Sequence, residues 1–233
     1  MLLSLSLAFC LTGCGAGKEE EISELTVTGS LELRYATQFS IDYCEGGYKL
    51  ISLADGSRFL IIPEGSPKPK GLDPGTVPIY QPVRNIYLAA TSVMCLFVSL
   101  DRLDAIRLSG TKEDGWYIEA ARQAMRDGNI LFAGKYSAPD YELITAEKCP
   151  LAIESMMIGH ASDVKEQLEQ LRIAVLMDQS SNEDHPLGRV EWIKLYGTLL
   201  GEEAADRVFQ EQLDYLDSVS ESEASGKTVA FFM

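Results

Sequence analysis

The sequence predicts an α/β protein: a Rossmann-like parallel-sheet lobe with N-terminal strands and a β hairpin before it, a long connecting helix after it, and the first strand of a second lobe at the end. Three observations predict this. Between residues 83 and 200, short apolar runs alternate with segments long enough for a helix, the rhythm of a parallel sheet with helices packed on its faces. Ahead of that region, apolar and polar residues alternate with the period of two that a half-buried strand requires. From Leu187 onward helical spacing persists for roughly 30 residues, well above the mean helix length.

Residues 1–14 read as a lipoprotein signal. Residues 2–11 (LLSLSLAFCL) form an apolar run of signal-peptide length, too short to span a bilayer as a mature helix. Leu11-Thr12-Gly13-Cys14 behind it resembles the bacterial lipobox, which implies acylation of Cys14 and a tether over residues 15–25. No Lys or Arg precedes the apolar run, so the chain is expected to begin inside its signal peptide. A phosphate-cradling loop is excluded here, because Gly17-Lys18 is followed by Glu19 instead of a hydroxyl residue, and the position for the first glycine holds Thr12.

Residues 26–82 are expected to hold strands and a Pro-rich loop. Leu31, Leu33 and Tyr35 alternate with polar neighbours, as do Phe39, Ile41 and Tyr43. Lys49–Leu53 and Ser57–Ile62 flank Asp55-Gly56, a pair that favours the hairpin turn matching strand twist. Residues 63–82 carry six of the nine prolines and are expected to be loop throughout.

Residues 83–200 are expected to form the N-terminal α/β lobe. Its strands are expected at Asn85–Ala90, Ala105–Leu108, Ile130–Ala133, Leu151–Glu154 and Ile173–Met177, with helices within 92–100, 115–127, 139–148 and 162–171. Ligands of such sheets sit beyond the carboxyl ends of the strands, so the loops to watch start at Thr91, Ser109, Gly134, Ser155 and Asp178. Gly201 is expected to separate a lead-in helix from a backbone helix over 201–221, with Glu202-Glu203 suiting a helix start. Residues 222–233 close with Thr228–Met233 (TVAFFM), which looks like the opening of a buried strand; the chain is therefore expected to be truncated at the start of a second lobe.

Composition excludes several functions. A formal charge of −15, from 20 basic and 35 acidic side chains, argues against nucleic acid, whose phosphates require Lys and Arg. Beyond Cys10 and Cys14 there remain Cys44, Cys95 and Cys149, an odd number without CxxC spacing, which points to buried thiols or at most one disulfide and not to a zinc site. Metal hydrolysis would want clustered His or carboxylates at ligand spacing, and the two histidines stand 25 residues apart. Neither a G-x-S-x-G elbow nor a G-x-G-x-x-G fingerprint follows any expected strand. No catalytic residue, cofactor or metal is expected, and an enzyme such as a secreted hydrolase is the weaker reading.

The order of these parts resembles a known family, the helical-backbone (class III) substrate-binding lipoproteins of ABC importers for ferric siderophores, haem or vitamin B12. The resemblance runs from about Val83 to Met233 and is carried by Thr111–Trp116 (TKEDGW), Tyr136–Ser155 (YSAPDYELITAEKCPLAIES) and His185–Gly197 (HPLGRVEWIKLYG). It implies an extracytoplasmic, lipid-anchored protein that holds a small-molecule ligand, a metal chelate, between two lobes and delivers it to an ABC permease powered by a separate ATPase. It also implies a glutamate on the first lobe that meets permease arginines, at Glu142 within Pro139–Ile144; a solvated first-turn residue is the alternative, and Asp140 is the better helix-start residue. The competing class is a lipid-anchored receptor without a transport partner.

Ligand candidates sit on or near the strand-end loops. Ser92 could touch ligand or cap the helix after it. Trp116 could stack on a flat ligand or serve as a core Trp. Tyr136 could hydrogen-bond ligand or lie on the surface, and Met156, followed by Met157, could offer a thioether to haem iron or pack. Arg189 could present its planar fork to carboxylates or pair with Glu183 or Glu191. His185 reads as a loop or cap residue and His160 as structural.

Overall fold

The structure, a computed structural model, describes residues 25–220, of Ser220 the backbone alone. Cys14, the tether up to residue 24 and the Thr228–Met233 strand lie outside the described residues. The chain opens with β1 (Val27–Ser30), β2 (Phe39–Cys44), β3 (Lys49–Leu53), β4 (Arg58–Ile62) and β5 (Thr76–Tyr80), which form one sheet in that order. The β3–β4 hairpin turns where Asp55-Gly56 predicts it: Gly56 takes φ +87°, and the Leu53 N–H donates to Ser57 O.

Two features depart from expectation. Residues 63–82 are not loop throughout, because β5 runs parallel to β4 with Pro78 opposite Leu60. Pro78 is tolerated because β5 is an edge strand, where a missing N–H costs no ladder bond on the open side. In turn, Leu31, Leu33 and Tyr35 form no strand; they pack half-buried against the main core in an irregular segment.

The second sheet is parallel throughout, in the order β12-β11-β6-β7-β8, from β6 (Ile86–Leu88), β7 (Ile106–Ser109), β8 (Leu131–Phe132), β11 (Leu151–Ser155) and β12 (Ala174–Asp178). The small hairpin β9 (Gly134–Lys135) and β10 (Ala138–Pro139) follows β8. Between the strands lie α1 (Met94–Ser99), α2 (Glu119–Arg126), α3 (Tyr141–Ala146) and α4 (Ser162–Gln170), each within its expected segment. After each of these helices the chain turns through a residue of positive φ: Asp101, Gly128, Lys148 and Arg172.

Strand alternation sorts the side chains into two layers. Ile86, Leu88, Ile106, Leu151, Ile153 and Leu176 face a large core shared with α1 and the first sheet, while Tyr87, Leu108, Ala152 and Val175 face a smaller core under α3 and α4. The C-terminal part is α5 (Pro186–Glu191), α6 (Ile193–Leu200) and α7 (Ala205–Ser220). Gly201 breaks the helical run as expected, capping α6 in the left-handed conformation at φ 70°. The α6–α7 junction is tight: a Cβ on Gly197 would come 2.5 Å from Ala205 Cβ. Among the described residues no helix is long and apolar enough to cross a membrane.

Candidate functional site

Because the second sheet is wholly parallel, the loops leaving its strands gather at one edge, and each helix that follows a strand starts there. The loops after β6 and β7 approach closely. The Gly110 N–H donates to Leu88 O at 2.8 Å, and a Cβ at Gly110 would meet Ala89 Cα at 2.8 Å. Ser109 organises the next loop: its hydroxyl donates to Thr111 O at 2.7 Å and accepts from the Thr111 N–H at 3.0 Å and from Trp116 Nε1 at 3.2 Å.

That last bond places Trp116 in the core, 5% exposed, so its ring supports the rim from beneath. The freely exposed ring of this loop is its neighbour Tyr117. Phe132, at the end of β8, is also exposed, with Lys112 Nζ 5.5 Å from its ring centroid. Tyr136 sits half-buried in the turn between β9 and β10. Ser92 is exposed in the turn before α1; its carbonyl accepts from Cys95 Sγ, and no hydroxyl cap of the helix is formed.

Met156 and Ser181, from the turns after β11 and β12, and Arg189 of α5 come together on the β11–β12 side. Ser181 Oγ donates to Met156 Sδ at 3.5 Å, and Arg189 Nη2 donates to Ser181 O at 3.3 Å. Met156 and Met157 are 40% and 46% exposed, so both thioethers lie at the surface and not in the core. Arg189 pairs with neither Glu183 nor Glu191, because both carboxylates are committed elsewhere. Glu191 accepts from the backbone N–H groups of Arg34, Tyr35 and Ala36 and pairs with Lys194 at 3.1 Å. Glu183 accepts from the N–H groups of Thr37 and Gln38 and from Trp192 Nε1. Burial works to raise the Glu191 carboxyl, but the N–H groups and the Lys194 ammonium lower it on balance. These two buried glutamates fasten the N-terminal segment to the α5–α6 region. His185 is a capping residue: its Nδ1 accepts from the Leu187 N–H at 3.1 Å, and its ring stacks on Tyr35 at 4.7 Å. His160 is exposed in a 3-10 turn after β11.

Behind the rim lie buried acids that sequence reasoning missed. Asp178, ending β12, accepts from Ser180 Oγ and Tyr196 Oη, both at 2.6 Å. Burial raises its carboxyl against the lowering effect of these bonds. Glu154, near the end of the interior strand β11, is 0% exposed, and neither carboxylate oxygen has a hydrogen-bond partner. Burial alone pushes its carboxyl up to about 8.

Glu142 is exposed in the first turn of α3, the end of that helix nearest the rim, and Asp140 caps the same helix by accepting from the Leu143 N–H at 2.9 Å. Beside Glu142, Tyr141, Gln167 and Leu171 line an open groove of about 460 Å³ between α3 and α4. The three cysteines are free thiols: Cys44 and Cys149 are buried as expected, and Cys95 is exposed. Among the described residues no group of His, Cys, Asp and Glu is placed to hold a metal ion.

No protein-family model matches the chain. A solved structure of holo-ViuP aligns with 20% identity and a TM-score of 0.50, covering 65% of this chain and 50% of that one. The periplasmic heme-binding protein HutB of Vibrio cholerae aligns with 15% identity and a TM-score of 0.49, covering 61% and 51%. The likeness to holo-ViuP is one of fold, the mixed α/β arrangement described above. Two uncharacterized lipoproteins of Methanocaldococcus jannaschii are similar in sequence: one is 22% identical over 91% of this chain, the other 26% identical over 76%. The chain spans 59% and 46% of the length of these curated relatives.

Proposed function

We propose that this chain supplies the ligand-binding first lobe and backbone helix of a lipid-anchored ABC-importer substrate-binding protein, which captures an iron-siderophore, haem or cobalamin-type ligand and delivers it to a membrane permease. The observation that carries the reading is the joining of an open, polar-and-aromatic rim at the carboxyl ends of a parallel sheet to a helix that runs past its lobe. The proximal part of α7 buries Val208, Phe209 and Leu213 in the main core, while Tyr215 and Leu216, 69% and 46% exposed, extend an apolar face beyond it. At 16 residues α7 is roughly 24 Å long, a stiff arm on which a second lobe would be carried.

On this reading ligand rests on the rim offered by Ser92, Tyr136, Met156 and Arg189, over the platform that Trp116 underpins. Arg189 supplies charge and a planar donor fork to carboxylates of the ligand, and Met156 a soft surface. The protein performs no chemistry. Glu142, exposed on a short rigid helix beside the rim, meets arginines of the permease once ligand is held. Acylation of Cys14 confines the protein to the membrane surface and raises its concentration near that permease; the naming of both relatives as lipoproteins supports this anchoring.

The test has two arms. The protein lacking Cys14 is titrated with a ferric siderophore, haem and cobalamin while Trp fluorescence is followed; silence towards all three removes the transport reading in favour of a receptor. In cells, Glu142→Arg is expected to abolish uptake and leave ligand affinity intact. Loss of affinity instead would make Glu142 a pocket residue and remove its docking role.

A further inference from the structure

A cavity of about 560 Å³ opens at the end of the parallel sheet opposite the rim. Its walls are the first residues of β4 and β5 on one side, and the last turn of α4 with the first residues of β12 on the other. It therefore lies between the open edges of the two sheets, and β12, five residues long, separates it from the rim by roughly 17 Å of strand. The volume is that of a small-ligand pocket.

The chemistry of the walls is amphipathic. The floor includes the buried side chains of Phe59 and Val175. The mouth carries Arg58, Lys165 and Arg172 against a single acid, Glu169. Arg58 is ion-paired with Asp73, and Lys165 is only loosely held, its Nζ 3.8 Å from Glu169. The Arg172 guanidinium makes no ion pair or hydrogen bond among the described residues. In a chain of net charge −15, a concave site in which Asp73 offsets Arg58 and Glu169 faces Lys165 still presents the uncompensated Arg172 cation, and low-dielectric walls focus its field.

We infer that this cavity is a second binding site, for a small organic anion bearing one carboxylate or phosphate on an apolar body. The anionic head meets the unengaged fork of Arg172, which can offer two parallel N–H donors, with the Lys165 ammonium as a second cation, while the body lies on the floor at Phe59 and Val175. Neither half suffices alone. Mouth cations exposed to water hold a bare anion weakly, and the floor gives a neutral body no orientation. The site shares no residue with the rim, so it stands independently of the transport reading.

Phenyl phosphate tests the inference, with inorganic phosphate and phenol as its two halves. The chain is titrated with each by calorimetry and by amide chemical shifts. Phenyl phosphate is expected to bind at least fivefold more tightly than either half, with the largest shifts at Phe59, Arg172 and Val175. Arg172→Gln, at an exposed position just past α4, and Lys165→Gln, at a half-exposed position within it, are both compatible with folding and are each expected to cost at least fivefold in affinity. Binding no tighter than that of the halves, shifts centred elsewhere, or a smaller loss in both variants would overturn the inference.

Discussion

Glu154 allows a sharp test of the buried architecture behind the rim. Its carboxyl group is wholly enclosed, has no hydrogen-bond donor, and sits on the face of β11 that packs under α3 and α4 beside Tyr87. Burial holds the proton on the folded-state group up to about pH 8, against 4.5 for the unfolded chain. Between those values the folded state binds the extra proton, so unfolding free energy falls as pH rises. The contribution is fully present below pH 4.5, declines by about 1.4 kcal/mol per unit through the window, and levels off above 8. Over the whole window the loss amounts to about 5 kcal/mol. Burial pushes Cys149 up to about 11 and raises Tyr87 further, so both neighbours keep their protons throughout. Glu154→Gln retains the shape and removes the titration. Urea unfolding of both proteins at each unit from pH 5 to pH 9 is expected to give an advantage for the variant that is smallest at pH 5, widens steadily to pH 8 and levels off beyond it. Asp178 titrates in both proteins and cancels in the difference. Parallel curves across the range would refute the burial argument.

The remaining predictions concern the joints of the molecule. Glu191→Ala would strand three backbone N–H donors and take from the Lys194 ammonium its buried carboxylate partner, leaving it Asp206 and the Glu32 carbonyl, at a cost of about 3–5 kcal/mol; a change below about 1 kcal/mol in urea unfolding would contradict the clamp. Gly197→Ala places a methyl 2.5 Å from Ala205 Cβ and 2.9 Å from Glu202 O, so overpacking of about 1–3 kcal/mol should outweigh the gain of about 1 kcal/mol in helix propensity. Net stabilisation in the same assay would show that α7 is free to shift. Glu142→Arg should separate uptake from affinity, as set out above.

Much of the α/β lobe was legible because buried parallel strands read as apolar runs, and five such runs became β6, β7, β8, β11 and β12. The Asp55-Gly56 turn, the Gly201 break and the Asp140 cap were legible because each depends on local backbone chemistry. β5 was hidden by Pro78, whose cost depends on whether the strand is central or at an edge, and that is a tertiary fact. Likewise Trp116 and Tyr117 are adjacent aromatics with opposite fates, one packed in the core and one wholly exposed. The left-handed turns at Lys148 and Arg172 carry no Gly or Asn signal.

By itself, then, the sequence determined the order of helices and strands, the parallel sheet and hence the edge at which the loops leaving its strands collect, since these follow from periodicity and short-range turn chemistry. Only the tertiary structure decided which side chains occupy that edge and which acids lie behind it. Glu183 and Glu191 find their partners about 150 residues earlier in the chain, and Glu154 finds none at all. Burial and hydrogen bonding are properties of what folds against a residue, and no local pattern carries that information.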